Sequence, residues 1–167
     1  MLASSVSASP VAMFGTLLAL ASLRHDCQAK QDDMHILIVE DEPLIAMTLA
    51  EELEDAGHDV IGPAPNVESA LSCATHEHID LALLDIDLQR KGDGLILAQR
   101  LREMHIPALF LSGQAGKAHE NARLAMGYIG KPYDPADVVK SIAVVDALVH
   151  GQAPPPPPMP AALELFS

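Results

Sequence analysis

Basic residues are scarce in this chain: 10 Lys and Arg stand against 23 Asp and Glu, giving a formal charge of −13. A surface of that sign repels nucleic acid backbones and anionic membranes, so neither direct DNA binding nor electrostatic membrane attachment is expected. Cysteine is scarcer still. Cys27 and Cys73 show no metal-ligand spacing, and Cys73 falls in a helical pattern where a small buried thiol is the expected role. This usage fits a reducing, cytoplasmic setting. Val11 to Leu23 is a mostly apolar run of 13 residues, interrupted by Gly15, Thr16 and Ser22. It falls short of the roughly 20 residues that a membrane-crossing helix needs. An export signal would carry positive charge ahead of that run, yet the first basic residue is Arg24, behind it. A glycine-rich nucleotide loop is also missing, so ATP is not an expected phosphate source.

What is present is enough for one domain. The chain has 167 residues, 49% of them hydrophobic, which suffices for a single core but not for two large ones. Residues 1–33 are expected to form an extension outside the fold, since Met34 would open a domain directly on its first strand. From there the pattern is regular. His35 to Val39 is a compact β-rich run, and Pro43 to Ala56 places Ile45, Leu49, Leu53 and Ala56 at helical spacing up to a stop at Gly57. Asp59 to Ile61 is a short strand closed by Gly62 and Pro63, and Asn66 caps a helix carrying Val67, Ala70, Leu71 and Ala74. Ile79 to Leu84 forms the third strand. Leu97, Leu101 and Met104 mark the third helix, and Ala108 to Leu111 the fourth strand. A short helix around Lys117 to Met126 leads to a brief strand at Tyr128 and Ile129. Asp134 caps the last helix, with Pro135 in its first turn and Val138, Ile142, Val145 and Val149 as its apolar stripe.

Strands alternating with helices in this way predict an α/β fold, a parallel five-stranded sheet covered on both faces by five helices, over residues 34–150. Residues 151–167 form a Pro-rich tail. Pro154 to Pro158 cannot donate backbone hydrogen bonds and favour an extended spacer, so the tail is expected outside the core.

Three of the strand-like runs end in an acid or its complement. Ile36 to Val39 leads into Glu40 and Asp41, Leu81 to Leu84 into Asp85, and Tyr128 and Ile129 into Lys131 followed by Pro132. In an open parallel sheet the carboxyl ends of the strands share one edge, so these groups can converge there. The segments ILIVEDEP, LALLDIDL, FLSG and YIGKP, in this order from Met34 to about Val149, resemble the receiver domain of two-component response regulators. The resemblance implies a flavodoxin-like, doubly wound sheet with strand order 2-1-3-4-5, which places Glu40, Asp41 and Asp85 in one crevice at the topological switch point.

The same resemblance implies a function. Asp85 would accept a phosphoryl group from a partner's phosphohistidine, on a sensor histidine kinase or a histidine phosphotransfer protein. Glu40, Asp41 and Asp85 would bind Mg2+, with the main-chain carbonyl of Asp87. Lys131 would bind the phosphoryl group, and the peptide before Pro132 would be cis. Ser112 would switch toward the phosphoryl group, and the rotamer of Tyr128 would follow. The chemistry is consistent: two carboxylates about 4 Å apart repel by roughly 4 kcal/mol at an effective dielectric of 20, so a third requires a cation. Magnesium, a hard ion that prefers oxygen ligands, suits such a set. The protein would not be a conventional enzyme, although self-phosphorylation from a phosphodonor and slow autodephosphorylation are expected. With no effector domain after residue 150, output is expected through protein contacts of a stand-alone receiver, and a homodimer formed on phosphorylation stays open.

Each residue has a plainer reading. Asp41 before Pro43 could cap the first helix, Lys131 could be a solvated lysine, Ser112 a turn hydroxyl and Tyr128 a half-buried strand residue. Glu40 is longer than the aspartate usual at its position. Only 18 residues separate Ser112 from Lys131, so the fourth helix is expected to be short or irregular. Eight histidines invite a metal or kinase reading, but His76 and His78 lie on different faces if helical, and no segment resembles a kinase's phosphoacceptor helix. Two alternatives remain: a phosphohydrolase of the haloacid dehalogenase type, suggested by the Asp-x-Asp of LLDIDL, and a non-phosphorylated receiver-like adaptor. The hydrolase would need its acidic pair after the nucleophile, whereas here it precedes Asp85.

Overall fold

The computed structural model describes residues 33–88, 90, 92–151 and 159–166. The expected extension, apart from Asp33, and the proline run lie outside the described residues.

Apolar β-branched and leucine runs build a sheet whose strands are β1 (His35–Val39), β2 (Asp59–Ala64), β3 (Leu81–Asp85), β4 (Ala108–Ser112), β5 (Gly127–Gly130) and β6 (Leu163–Leu165). Their order is β2-β1-β3-β4-β5-β6, the first five parallel and the sixth antiparallel to β5. The first five strands thus follow the expected 2-1-3-4-5 order. Successive residues of the central strands face opposite layers, as the period of two requires. Leu37, Val39, Ala82, Leu84, Ala108 and Phe110 enter one core, whereas Ile36, Ile38, Leu81, Leu83, Leu109 and Leu111 enter the other. Both faces are apolar because helices cover both, as a parallel sheet demands.

Five α-helices provide that cover: α1 (Pro43–Asp55), α2 (Val67–His76), α3 (Asp93–Glu103), α4 (Ala115–Glu120) and α5 (Pro135–Val149). Leu49 and Leu53 of α1 join Val138, Ile142 and Val145 of α5 in one core, while Ala70 and Ala74 of α2 and Leu97 and Leu101 of α3 enter the other. Two caps are where the sequence places them. Asn66 Oδ1 accepts from the Ser69 N–H at 2.9 Å, and the Asp134 side chain accepts from the Ala136 N–H at 3.0 Å. The fourth helix is short, six residues followed by a 3-10 turn at Ala122–Leu124. Among the described residues no helix is long and apolar enough to cross a membrane.

Several local expectations differ from what is observed. The ends of the stripes turn outward: Val149 is 38% exposed, Met104 is 36% exposed and Ala56 is exposed, while at the start of α1 Ala46 is buried and the expected Ile45 only half-buried. Cys73 is only half-buried. The largest difference is the tail, expected outside the core. Leu163–Leu165 form a sixth strand along β5, and Phe166 packs into the same core as Phe110. The alternation Leu163, Glu164, Leu165 is a strand pattern, and it pairs because β5 would otherwise present a bare edge. The sheet is therefore six-stranded rather than five-stranded.

Candidate metal and phosphoryl site

The site begins with strand register. Val39 lies opposite Leu84, and Asp85 lies opposite Leu111, so Glu40, Asp85 and Ser112 emerge side by side at the carboxyl ends of β1, β3 and β4. Glu40 is 2% exposed, Asp85 5% and Ser112 1%, an unusual depth for two carboxylates. Asp41, half-buried, completes a trio in which one oxygen from each residue lies within 4.8 Å of the others. Asp41 does not cap α1. The cap residue is Glu42, with no side-chain bond to the helix, and its N–H instead donates to Glu40 Oε1 at 3.2 Å.

Among the described residues, one cation pairs with two members of this trio. Lys131, at the end of β5, donates from Nζ to Glu40 Oε2 at 2.7 Å and to Asp85 Oδ2 at 2.8 Å. Burial alone would push this ammonium toward its neutral form, but the bonds and charges of Asp85 and Glu40 outweigh it and hold the pKa above the ordinary lysine value. Burial raises the Glu40 pKa, more than the pairing with Lys131 lowers it. Three carboxylates against one ammonium leave two negative charges in excess, which a divalent ion would match. All the donors are hard oxygens, the set that magnesium accepts. The residues therefore fit the ion expected of them.

The loop after β3 is drawn in close. The Asp87 N–H donates to Asp85 Oδ1 at 2.7 Å, and the Lys117 ammonium pairs with the Asp87 carboxylate. Gly94 permits this compactness. A Cβ there would meet the Asp85 carbonyl oxygen at 2.5 Å and that of Ile86 at 2.6 Å, so any side chain would drive α3 off the site. Beside Lys131 an open, largely apolar pocket of about 580 Å³ is lined by Leu44, Ile45, Thr48, Pro132, Tyr133 and Pro135. The Lys131–Pro132 peptide is cis, as expected, and so is Gly62–Pro63. Burial pushes the Tyr133 phenol up to about 12, and its buried hydroxyl has no partner among the described residues.

The two expected switch residues make their hydrogen bonds elsewhere than to the carboxylates. Ser112 Oγ donates to the Gln114 carbonyl at 3.3 Å and accepts from the Gln114 N–H at 3.0 Å, closing its own turn. Tyr128 is turned toward the sheet edge, where its hydroxyl donates to Glu164 Oε2 at 3.0 Å. Its ring meets His119 edge-on at 5.5 Å and stacks on Phe166 at 6.1 Å. Lys117, Gly94, Glu164 and Phe166 were not legible as site neighbours. Lys117 lies in the short stretch after FLSG, where a single basic residue reads as surface, and the proline run masks the strand period of the tail.

Comparison with known proteins finds one family throughout. The model of the response regulator receiver domain matches residues 36–143. The transcriptional regulatory protein PdtaR of Mycobacterium tuberculosis is 33% identical over 111 residues, covering 64% of this chain and 54% of that protein. The chain spans about half the length of the curated relatives it matches. Among solved structures, the signal receiver domain of a modulated diguanylate cyclase from Desulfovibrio desulfuricans superposes with a TM-score of 0.63 at 34% identity, covering 71% of this chain and 98% of that one. The response regulator TrrA of Thermotoga maritima, solved in complex with Mg(2+)-BeF, gives a TM-score of 0.58 at 27% identity, covering 65% and 96%.

Proposed function

The chain belongs to the response regulator receiver family, and from that premise we propose that it accepts a phosphoryl group on Asp85 from the phosphohistidine of a sensor histidine kinase or histidine phosphotransfer protein. The observation that carries this reading is the meeting of Glu40, Asp41, Asp85 and Lys131 at one sheet edge. Asp85 Oδ would form the new bond to phosphorus as the bond to the donor's imidazole nitrogen breaks, and that nitrogen regains a proton. Lys131 would follow the phosphoryl oxygens, a role supported by the bonds of its ammonium to the acceptor carboxylate and Glu40. Glu40, Asp41 and Asp85, with the Asp87 carbonyl, would hold Mg2+, which when bound offsets the negative charge gathered on the transferring oxygens. Ser112 would leave the Gln114 turn to hydrogen-bond the phosphoryl group, and Tyr128 would respond. A phosphoryl group adds about −1.5 to −2 charge, and it shifts a conformational balance only through contacts that differ between the two states.

The apolar pocket beside Lys131, with Leu44 81% and Met47 65% exposed on α1, suits the apolar face of a donor helix that carries the histidine. The acidic chain is read as a cytoplasmic signalling protein that works through protein contacts rather than on DNA or a membrane. A haloacid-dehalogenase-like hydrolase is not favoured, since the acidic pair comes from β1 and precedes the acceptor.

The test is incubation with magnesium and acetyl phosphate followed by intact-mass measurement. The wild type should gain the mass of one phosphoryl group, while Asp85→Asn should gain none. A folded wild type that stays unmodified overturns the proposal in favour of an adaptor, and turnover of unrelated phosphate esters would point to a hydrolase.

A further inference from the structure

Helix α4 ties the acidic cluster to the last strand. At its start the Gln114 N–H donates to Ser112 Oγ at 3.0 Å, and the Gln114 carbonyl accepts the first bond of the helix from the Ala118 N–H at 3.2 Å. Within the helix the Lys117 ammonium pairs with Asp87, whose own N–H donates to Asp85 Oδ1 at 2.7 Å. Two residues on, His119 reaches the tail. Its Nε2 pairs with Glu164 at 3.1 Å, and its ring meets those of Tyr128 at 5.5 Å and Phe166 at 5.7 Å. A helix of six residues is too short to hold its shape alone, so these ties decide where it sits.

The strand that His119 touches is seated by local contacts. The Gly130 N–H donates to the Ala162 carbonyl at 3.0 Å, and the Phe166 N–H to the Met126 carbonyl at 2.8 Å. A Cβ at Gly127 would meet the Glu164 carbonyl oxygen at 2.3 Å, so the bare glycine is what lets the strand come this close. Glu164 accepts from the Tyr128 hydroxyl, and Phe166 stacks on the Tyr128 ring. A strand of three residues at a sheet edge belongs to the part of a fold that opens most easily. Seated, it pins Tyr128 and His119 together. Unseated, both lose the same acid and the same ring.

We propose that residues 162–166 are an autoinhibitory latch: seated on β5 they hold α4 and Tyr128 in the resting arrangement, and phosphorylation of Asp85 releases them through α4. The latch rests on the reading of Asp85 as the phosphoryl acceptor. A phosphoryl group adds about −1.5 to −2 charge and three acceptor oxygens beside the groups that hold α4. Ser112, drawn to those oxygens, gives up the Gln114 N–H, and Lys117 is pulled from Asp87 toward the larger charge. Helix α4 then shifts, and His119 and Tyr128 part from Glu164 and Phe166. The coupling is reciprocal: a strand that phosphorylation loosens is also a strand whose loosening favours the phosphorylated state.

Hydrogen exchange at the Phe166 amide of the full-length chain reads the latch directly. Magnesium and acetyl phosphate, which passes its phosphoryl group to Asp85 and leaves as acetate, should speed that exchange at least about fivefold, the lower end of ordinary coupling between sites. The Asp80 amide, bonded to the His35 carbonyl where β1 and β3 begin, should keep its protection. Equal acceleration at both amides would mean general loosening and overturns the latch. Intact mass measured alongside separates the two readings. A chain that gains the phosphoryl mass with unchanged Phe166 exchange overturns the latch alone, whereas a chain that gains no mass overturns both. In the reciprocal direction, Glu164→Ala, with Asp80 still protected, should bind magnesium and beryllium fluoride, a phosphoryl mimic, severalfold more tightly than the wild type in titration calorimetry. Glu77→Ala, an exposed position away from β5, should match the wild type. Equal affinity of Glu164→Ala and the wild type, or the same gain in Glu77→Ala, overturns the latch.

Discussion

Lys131 concentrates the electrostatics of the site in one side chain. It is the ammonium that bonds the two buried carboxylates Glu40 and Asp85, so removing it leaves two close negative charges with little solvent. Breaking a buried pair in this manner is more damaging than never having had one. Lys131→Met should therefore lower unfolding stability by about 2–4 kcal/mol in EDTA, and magnesium should restore more stability to the variant than to the wild type. Urea unfolding with and without the ion checks this, and an equal response of both proteins to magnesium would count against it. Tyr133 presents the opposite case, a buried hydroxyl with no partner among the described residues. Tyr133→Phe removes an unpaired polar atom while keeping the ring, so it should leave stability unchanged or raise it by up to about 1 kcal/mol. A clear loss in thermal unfolding would mean that the hydroxyl has a partner. Sequence made the four charged groups legible, because strand ends with the right residue types converge in any parallel sheet. It could not reveal Lys117 beside Asp87, since that pair depends on the path of a short, irregular fourth helix.

Elements were legible where one signal dominated. The caps Asn66 and Asp134 and the apolar strands β1, β3 and β4 follow from local chemistry, whereas the outer ends of α3 and α5 depend on how far the sheet reaches beneath them. Sequence missed β6 for a different reason. A three-residue strand has too few alternations to register, and five prolines just before it suggested chain outside the fold. The code for that strand is divided between Leu163–Leu165 and the gap at Gly127, which reads as an ordinary turn glycine until the partner is seen. Gly127→Ala should displace β6 without unfolding the rest, because the backbone carbonyl in its way cannot rotate aside. Hydrogen exchange at the Gly130 and Phe166 amides should accelerate by at least about tenfold, while β1 and β3 amides remain protected. Unchanged protection at both sites would show that the strand tolerates a methyl group there.

At the scale of the whole molecule, pH acts on stability through two opposing routes. Acidification relieves the self-repulsion of a chain with charge −13, which favours the compact state. His58 works the other way. It is 4% exposed, its Nδ1 accepts from the Met34 N–H at 3.4 Å, and its Nε2 is buried without a partner among the described residues. Burial lowers its pKa, outweighing the charges of Asp146 and Asp33 that would raise it. Below about pH 6.5 the unfolded chain takes up a proton on this ring that the folded chain resists, so unfolding is favoured as pH falls through that value. The two routes separate in a comparison with His58→Asn, whose side-chain oxygen can accept from Met34 but does not titrate. Both proteins share the global charge effect, so the difference between their unfolding free energies isolates the ring. That difference should be flat above pH 7.5 and turn against the wild type between pH 7 and pH 5, as estimated from an unfolded histidine pKa of about 6.5. Parallel curves across the range, measured by urea unfolding at fixed ionic strength, would place the acid sensitivity of the fold elsewhere.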